Sequence, residues 1–138
     1  MSAPQTDSPL AERVLACMME AVIHADRQGL IALWNPAAEA MFGFSTAEAI
    51  GQSLDIIIPE RLREAHWRGF NAAIASGQTR LHGRPTMTRA LHKSGATLYV
   101  EMSFALVSDQ AGEVIGSVAV ARDVTERVQR DKAARDGA

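Results

Sequence analysis

The spacing of apolar positions changes several times along the chain. Leu10, Val14 and Met18 recur every fourth residue, with Leu15 and Met19 beside them. This predicts an amphipathic helix over about 9–19, opened by Ser8-Pro9 as N-cap and first-turn proline. Ala21–Ala25 and Leu30–Trp34 read as short strands joined by the turn Asp26-Arg27-Gln28-Gly29, so the sheet opens with a hairpin. Short helices follow. Asn35-Pro36 starts the first and Gly43 closes it; Ser45 and Glu48 have capping-box spacing in the second, which Gly51 ends. A brief turn around Asp55 leads through Ile56-Ile57-Ile58 to Pro59-Glu60, which opens the longest helix, ending near Ser76-Gly77. Beyond it the period becomes that of strands: about 79–91, then Leu98–Leu106, then Val114–Ala121, with turns at 92–95 and 109–112. In the middle strand Leu98, Val100, Met102, Phe104 and Leu106 share the face expected to meet the core. Asp123 is placed to cap a polar C-terminal helix that frays by Gly137.

Runs of strands separated by a block of helices predict an α+β fold with an antiparallel sheet, the helices covering one of its faces. The division expected is a disordered N-terminus at 1–8, one domain over 9–123 that includes the N-terminal flanking helix, and a linker or signal helix over 124–138. The length of 138 residues suits one domain, and 47% hydrophobic content supplies a core. A net charge of -2 offers no basic face for nucleic acid. The single cysteine, Cys17, excludes an internal disulfide and reads as a small buried hydrophobe. The N-terminus has no basic region ahead of an apolar run, and no apolar stretch approaches the ~20 residues of a membrane span, which points to a cytoplasmic chain without a membrane partner. His24, His82 and His92 are scattered without metal-ligand spacing. No nucleophile stands beside a base and no phosphate-cradling loop occurs, so no enzyme activity is expected.

One polar residue interrupts the apolar face of the long helix. Leu62, Phe70 and Ala73 lie four and seven positions from His66, and Gly69 lies three beyond it. A glycine inside a helix costs about 1 kcal/mol against alanine, which a flat ligand lying close would justify. Neutral imidazole is an ordinary axial ligand of haem iron. The other interpretation is a half-buried histidine bonded to a backbone carbonyl, and the helix pattern alone admits both.

Leu33-Trp34-Asn35-Pro36-Ala37-Ala38-Glu39 running into Phe42-Gly43-Phe44, then Glu48–Gln52, His92-Lys93-Ser94-Gly95 and Arg122–Arg127, resemble the PAS family over about residues 10–127. The resemblance implies a five-stranded antiparallel sheet whose inner face and helical block enclose a pocket, which in that family binds haem, flavin, small metabolites or nothing, with signals passing through flanking helices. Ile58-Pro59-Glu60 through His66 is similar to the long helix of haem-binding oxygen sensors, the FixL-type kinases and the direct oxygen sensor phosphodiesterase. There a histidine seven residues after that proline is the proximal iron ligand, and His66 holds the position. The resemblance therefore implies haem b on His66, in a pocket formed by Gly69, Phe70, Ala73, Arg80, Arg84, Thr86, Met87, Val100, Met102 and Phe104. The oxygen-contacting arginine of the FixL type aligns with Thr86, with Arg84 two residues earlier; the phosphodiesterase's iron-ligating methionine aligns with Arg84. Met87 and Met102 are candidates for a sixth ligand, with core filling as the alternative. Among the haem-propionate partners of the FixL type, Arg80 replaces a histidine and Ala72 an arginine. A flavin of the LOV type is not expected, because the helical block lacks the reactive cysteine of that class.

Asp123-Val124-Thr125 resembles the PAS signal-exit motif, with Asp123 or Thr125 capping the last helix and Arg127 able to pair with an acidic neighbour. Two functions follow. One is a haem sensor of oxygen, another gas or redox state. The other is a cofactor-free dimerisation or interaction module, or a small-metabolite binder. Either predicts a homodimer through residues 9–19, perhaps joined by the C-terminal helix. The expected partner or output domain is a kinase, cyclase or transcription regulator of the two-component kind.

Overall fold

The computed structural model describes residues 9–79 and 84–137. In chain order it contains α1 (Leu10–Cys17), β1 (Ala21–Asp26), β2 (Ile31–Trp34), α2 (Pro36–Phe42), α3 (Thr46–Ala49), a 3-10 turn (Leu54–Ile57), α4 (Glu60–Ser76), β3 (Thr86–Leu91), β4 (Thr97–Ser108), β5 (Val114–Asp123) and α5 (Thr125–Asp136). The strands form one five-stranded sheet in the order β2-β1-β5-β4-β3, with antiparallel pairing throughout. This is the α+β architecture that the element order predicts.

Local chemistry sets the helix boundaries. The Asn35 side chain accepts from the Ala38 N–H at 3.0 Å, Pro36 fills the first turn of α2, and Gly43 ends it in the left-handed region at φ 83°. Ser45 and Glu48 close both halves of their capping box. Phe42, Ile23, Ile31 and Val100 are among the most deeply buried side chains, and Trp34 meets Phe42 with ring centroids 5.5 Å apart. The core thus forms where α2, α3 and the 3-10 turn meet the inner face of the sheet.

Three expectations change. The N-terminal helix stops at Cys17 because Met18 turns to extended backbone, and α1 buries none of its residues. Cys17 is exposed rather than buried, since α1 stands against the domain instead of within its core. The strand predicted over 79–91 begins at Thr86, and residues 80–83 lie outside the described residues, as do 1–8.

Candidate functional site

A cavity of about 510 Å³ opens between α4, the 3-10 turn and the inner face of the sheet. Its volume suits a small molecule or cofactor. From α4 come Leu62, His66, Gly69, Phe70 and Ala73, the face marked by helical spacing in the sequence. Met102 and Phe104 enter from β4, Thr86 and Thr88 from β3, and Arg84 lies just before β3. Phe70 and Phe104 meet edge to face at 6.2 Å, joining helix to sheet.

Among the described residues, His66 is the one imidazole of this wall. Its Nδ1 is buried and has no hydrogen-bond partner among the described residues. The carbonyl-bonded core histidine that the sequence also admits is therefore not what Nδ1 shows. Burial pushes the imidazole pKa below its usual 6.5, opposed by the Asp55 carboxylate, which raises it. At neutral pH the ring is therefore neutral and keeps a nitrogen lone pair for a ligand. It stands edge-on to Trp67 at 4.6 Å and lies nearly parallel to Phe70, 6.0 Å away and 28° apart. A Cβ added at Gly69 would meet no atom of the described residues within 4 Å, so packing among them does not require glycine there.

Of the residues named from the sequence, His66, Gly69, Phe70, Ala73, Arg84, Thr86, Met102 and Phe104 share this cavity. Met87 does not. It pairs opposite Glu101 on the other face of β3 and is 55% exposed, because strand alternation sends Thr86, Thr88 and Ala90 inward instead. Val100 has the correct parity but is sealed in the core and does not line the cavity. Arg80 lies outside the described residues. Sequence reasoning missed Ile23, Leu54 and Ser117 on the wall. Only the tertiary pairing of β1 with β5 brings Ile23 opposite Ala119. It also missed the hydrogen bond from Trp67 Nε1–H to the Asp55 carboxylate, 2.7 Å.

At the far end of β5, Val124 and not Asp123 or Thr125 occupies the N-cap position, and its own side chain makes no cap. The Thr125 hydroxyl is engaged elsewhere: its oxygen accepts from the Tyr99 N–H at 2.9 Å. The Val124 N–H donates to the Tyr99 carbonyl at 2.8 Å. The Asp123 carboxylate accepts from the Thr125 N–H at 2.9 Å, and Arg127 lies 3.9 Å from Glu101. The start of α5 is therefore stapled to β4, the strand that carries Met102 and Phe104.

Among known proteins, a family model described as the PAS fold matches residues 17–129. The sensor protein FixL of Bradyrhizobium diazoefficiens is 29% identical over 116 residues, covering 84% of this chain and 23% of that protein. The oxygen sensor protein DosP of Escherichia coli is 29% identical over 116 residues, covering 83% of this chain and 14% of that protein. The chain thus spans less than a quarter of either relative. The PAS domain of a Colwellia psychrerythraea protein superposes with a TM-score of 0.74 at 22% identity, covering 84% of this chain and 95% of that one.

Proposed function

Because the chain belongs to the PAS family, we propose that it is a sensor domain whose cavity holds haem b through His66. The observation that carries this reading is the buried His66 Nδ1, without a hydrogen-bond partner among the described residues, on the wall of a largely apolar cavity. A buried polar atom without a partner is costly, and a functional ligand explains why it is kept. The neutral ring, the space beside Gly69 and the aromatic wall of Phe70 and Phe104 fit a flat, apolar macrocycle with one nitrogen donor. The bound group would supply an iron centre that takes up a gas or changes redox state. The chain would orient it through His66 and keep water away with Phe70 and Phe104. Arg84, Thr86 and Met102 are the candidates for contact with a sixth ligand.

A change at Met102 or Phe104 would reach α5 along β4 through the Tyr99–Thr125 staple. The domain would then act as a sensing module and leave catalysis to a kinase, cyclase or transcription-regulator partner or output domain. Protein produced with haem available should show a Soret band at close to one haem per chain, and His66→Ala should lose most of it. Well-folded wild type that stays colourless would refute the haem assignment. The exposed Leu10 and Val14 on α1, with Met19 just beyond it, favour a second reading, a homodimer seated on this segment. Sedimentation showing a monomer at tens of micromolar would count against it.

A further inference from the structure

Helix α4 is thinly anchored for its length. Within Glu60–Ser76 only Phe70 and Ala73 are buried, because its inner face borders a cavity rather than packing directly on the sheet. Its rotation about its own axis, and with it the aim of His66, must be set by other contacts.

Those contacts converge on the residue after His66. The Trp67 indole N–H donates to the Asp55 carboxylate at 2.7 Å. One turn earlier, Arg63 donates from Nε to the Ile58 carbonyl at 3.0 Å and from its terminal nitrogen to the Asp55 carbonyl at 3.3 Å, with its Nε 3.9 Å from the Asp55 carboxylate. Arg63 and Trp67 are four apart and so share one helix face. The six-membered ring of Trp67 rests on Gly29 in the β1–β2 turn. A Cβ at Gly29 would come within 2.2 Å of Trp67 Cη2, and the φ of 80° there also favours glycine. The Gly29 carbonyl in turn accepts from the Leu54 N–H at 3.0 Å, and the Asp55 N–H donates to Ser53 Oγ at 3.1 Å. The β1–β2 turn, the 3-10 turn and α4 thus close a ring around one indole, which stands edge-on against His66 at 4.6 Å.

We propose that Asp55, Trp67 and Gly29 form a latch that fixes the rotation of α4 and so aims His66 into the cavity. Trp67 and Asp55 are then positioning residues for whatever group His66 holds. The second half of this statement rests on the haem reading; the latch itself does not.

The test measures amide hydrogen exchange of α4 in the protein without ligand, and haemin affinity by Soret titration, in wild type and four variants. Trp67→Phe loses the donor and, because its single ring is shorter than the indole, also the contact with Gly29. Asp55→Ala loses the acceptor. Asp55→Asn keeps an acceptor oxygen and loses the charge. The double variant Asp55→Ala/Trp67→Phe removes both sides. Trp67→Phe and Asp55→Ala should each speed exchange over residues 62–74 and weaken haemin binding about tenfold, the worth of one charge-assisted hydrogen bond. The double variant should be no worse than Trp67→Phe alone, because the hydrogen bond that Asp55→Ala removes is already absent there. Asp55→Asn should fall between, weakening binding about threefold, because the neutral hydrogen bond that remains is worth about half the charged one. Wild-type values in Trp67→Phe, or additive losses in the double variant, overturn the latch. If the exchange pattern appears as expected but wild type takes up no haemin, the latch stands and the haem reading falls.

Discussion

Replacing His66 with leucine should stabilise the ligand-free protein. The Nδ1 atom is buried without a partner among the described residues, and such a group costs about 1–3 kcal/mol. The residue as a whole is only half-buried, so the lower end applies, a gain of about 1 kcal/mol on substitution. Leucine suits the neighbouring Leu62 and Phe70 and has a slightly better helix propensity, worth a few tenths of a kcal/mol more. In a domain of 138 residues this raises Tm by about 3–4 °C. The comparison gains a second handle from pH. The folded protein holds the imidazole pKa below 6.5, so as pH falls through that value the unfolded chain takes the proton first. This component of stability is complete above pH 6.5 and is lost below it, toward the lower folded pKa. His66→Leu lacks that loss, so its advantage should widen under mild acid. Urea unfolding followed by circular dichroism from pH 8 to pH 5 measures both effects. A variant less stable than wild type by about 1 kcal/mol or more at pH 7 would mean that His66 contributes a satisfied core contact, and the reasoning would fail.

Asn35→Asp should cost about 2 kcal/mol or more in urea unfolding and speed amide exchange in α1. It keeps the acceptor for the Val22 and Ala38 N–H groups but sets a carboxylate against the Leu15 and Glu20 carbonyls that Nδ2 now serves. Gly116→Ala would put a Cβ 2.0 Å from the Ala25 carbonyl oxygen, forcing β5 from β1; a loss of about 2 kcal/mol or more in the same assay is expected. Thr125→Val leaves the Tyr99 N–H without its acceptor and should cost about 1–2 kcal/mol while raising exchange at that amide and along α5.

Much of the fold is legible in the sequence because its signals are local. Asn35-Pro36, Gly43 and the Ser45/Glu48 pair place the short helices, and the turn at Asp26–Gly29 places the first hairpin. The cavity-facing side of α4 is legible for the same reason: Leu62, His66, Phe70 and Ala73 obey helical spacing. Failures begin where a residue's surroundings come from distant chain. Strand parity could not show that Val100 falls beyond the cavity, within the core. Cys17 reads as a buried small hydrophobe from its residue type, yet the body of the domain leaves it outside. Trp67 carries no periodic signal for its role, because its partners Asp55 and Gly29 meet it only after the sheet and helices assemble.

The central claim is that His66 supplies the nitrogen that holds iron in this cavity. It is tested most directly in His66→Gly, which removes the imidazole at a helix cost of about 1 kcal/mol. Haemin titration of this variant, followed at the Soret band, should show weak binding. Added free imidazole should restore a spectrum like that of wild type, because the small molecule fills the space and the coordination position that the side chain has left. Wild-type haemin affinity in His66→Gly without imidazole would contradict the claim.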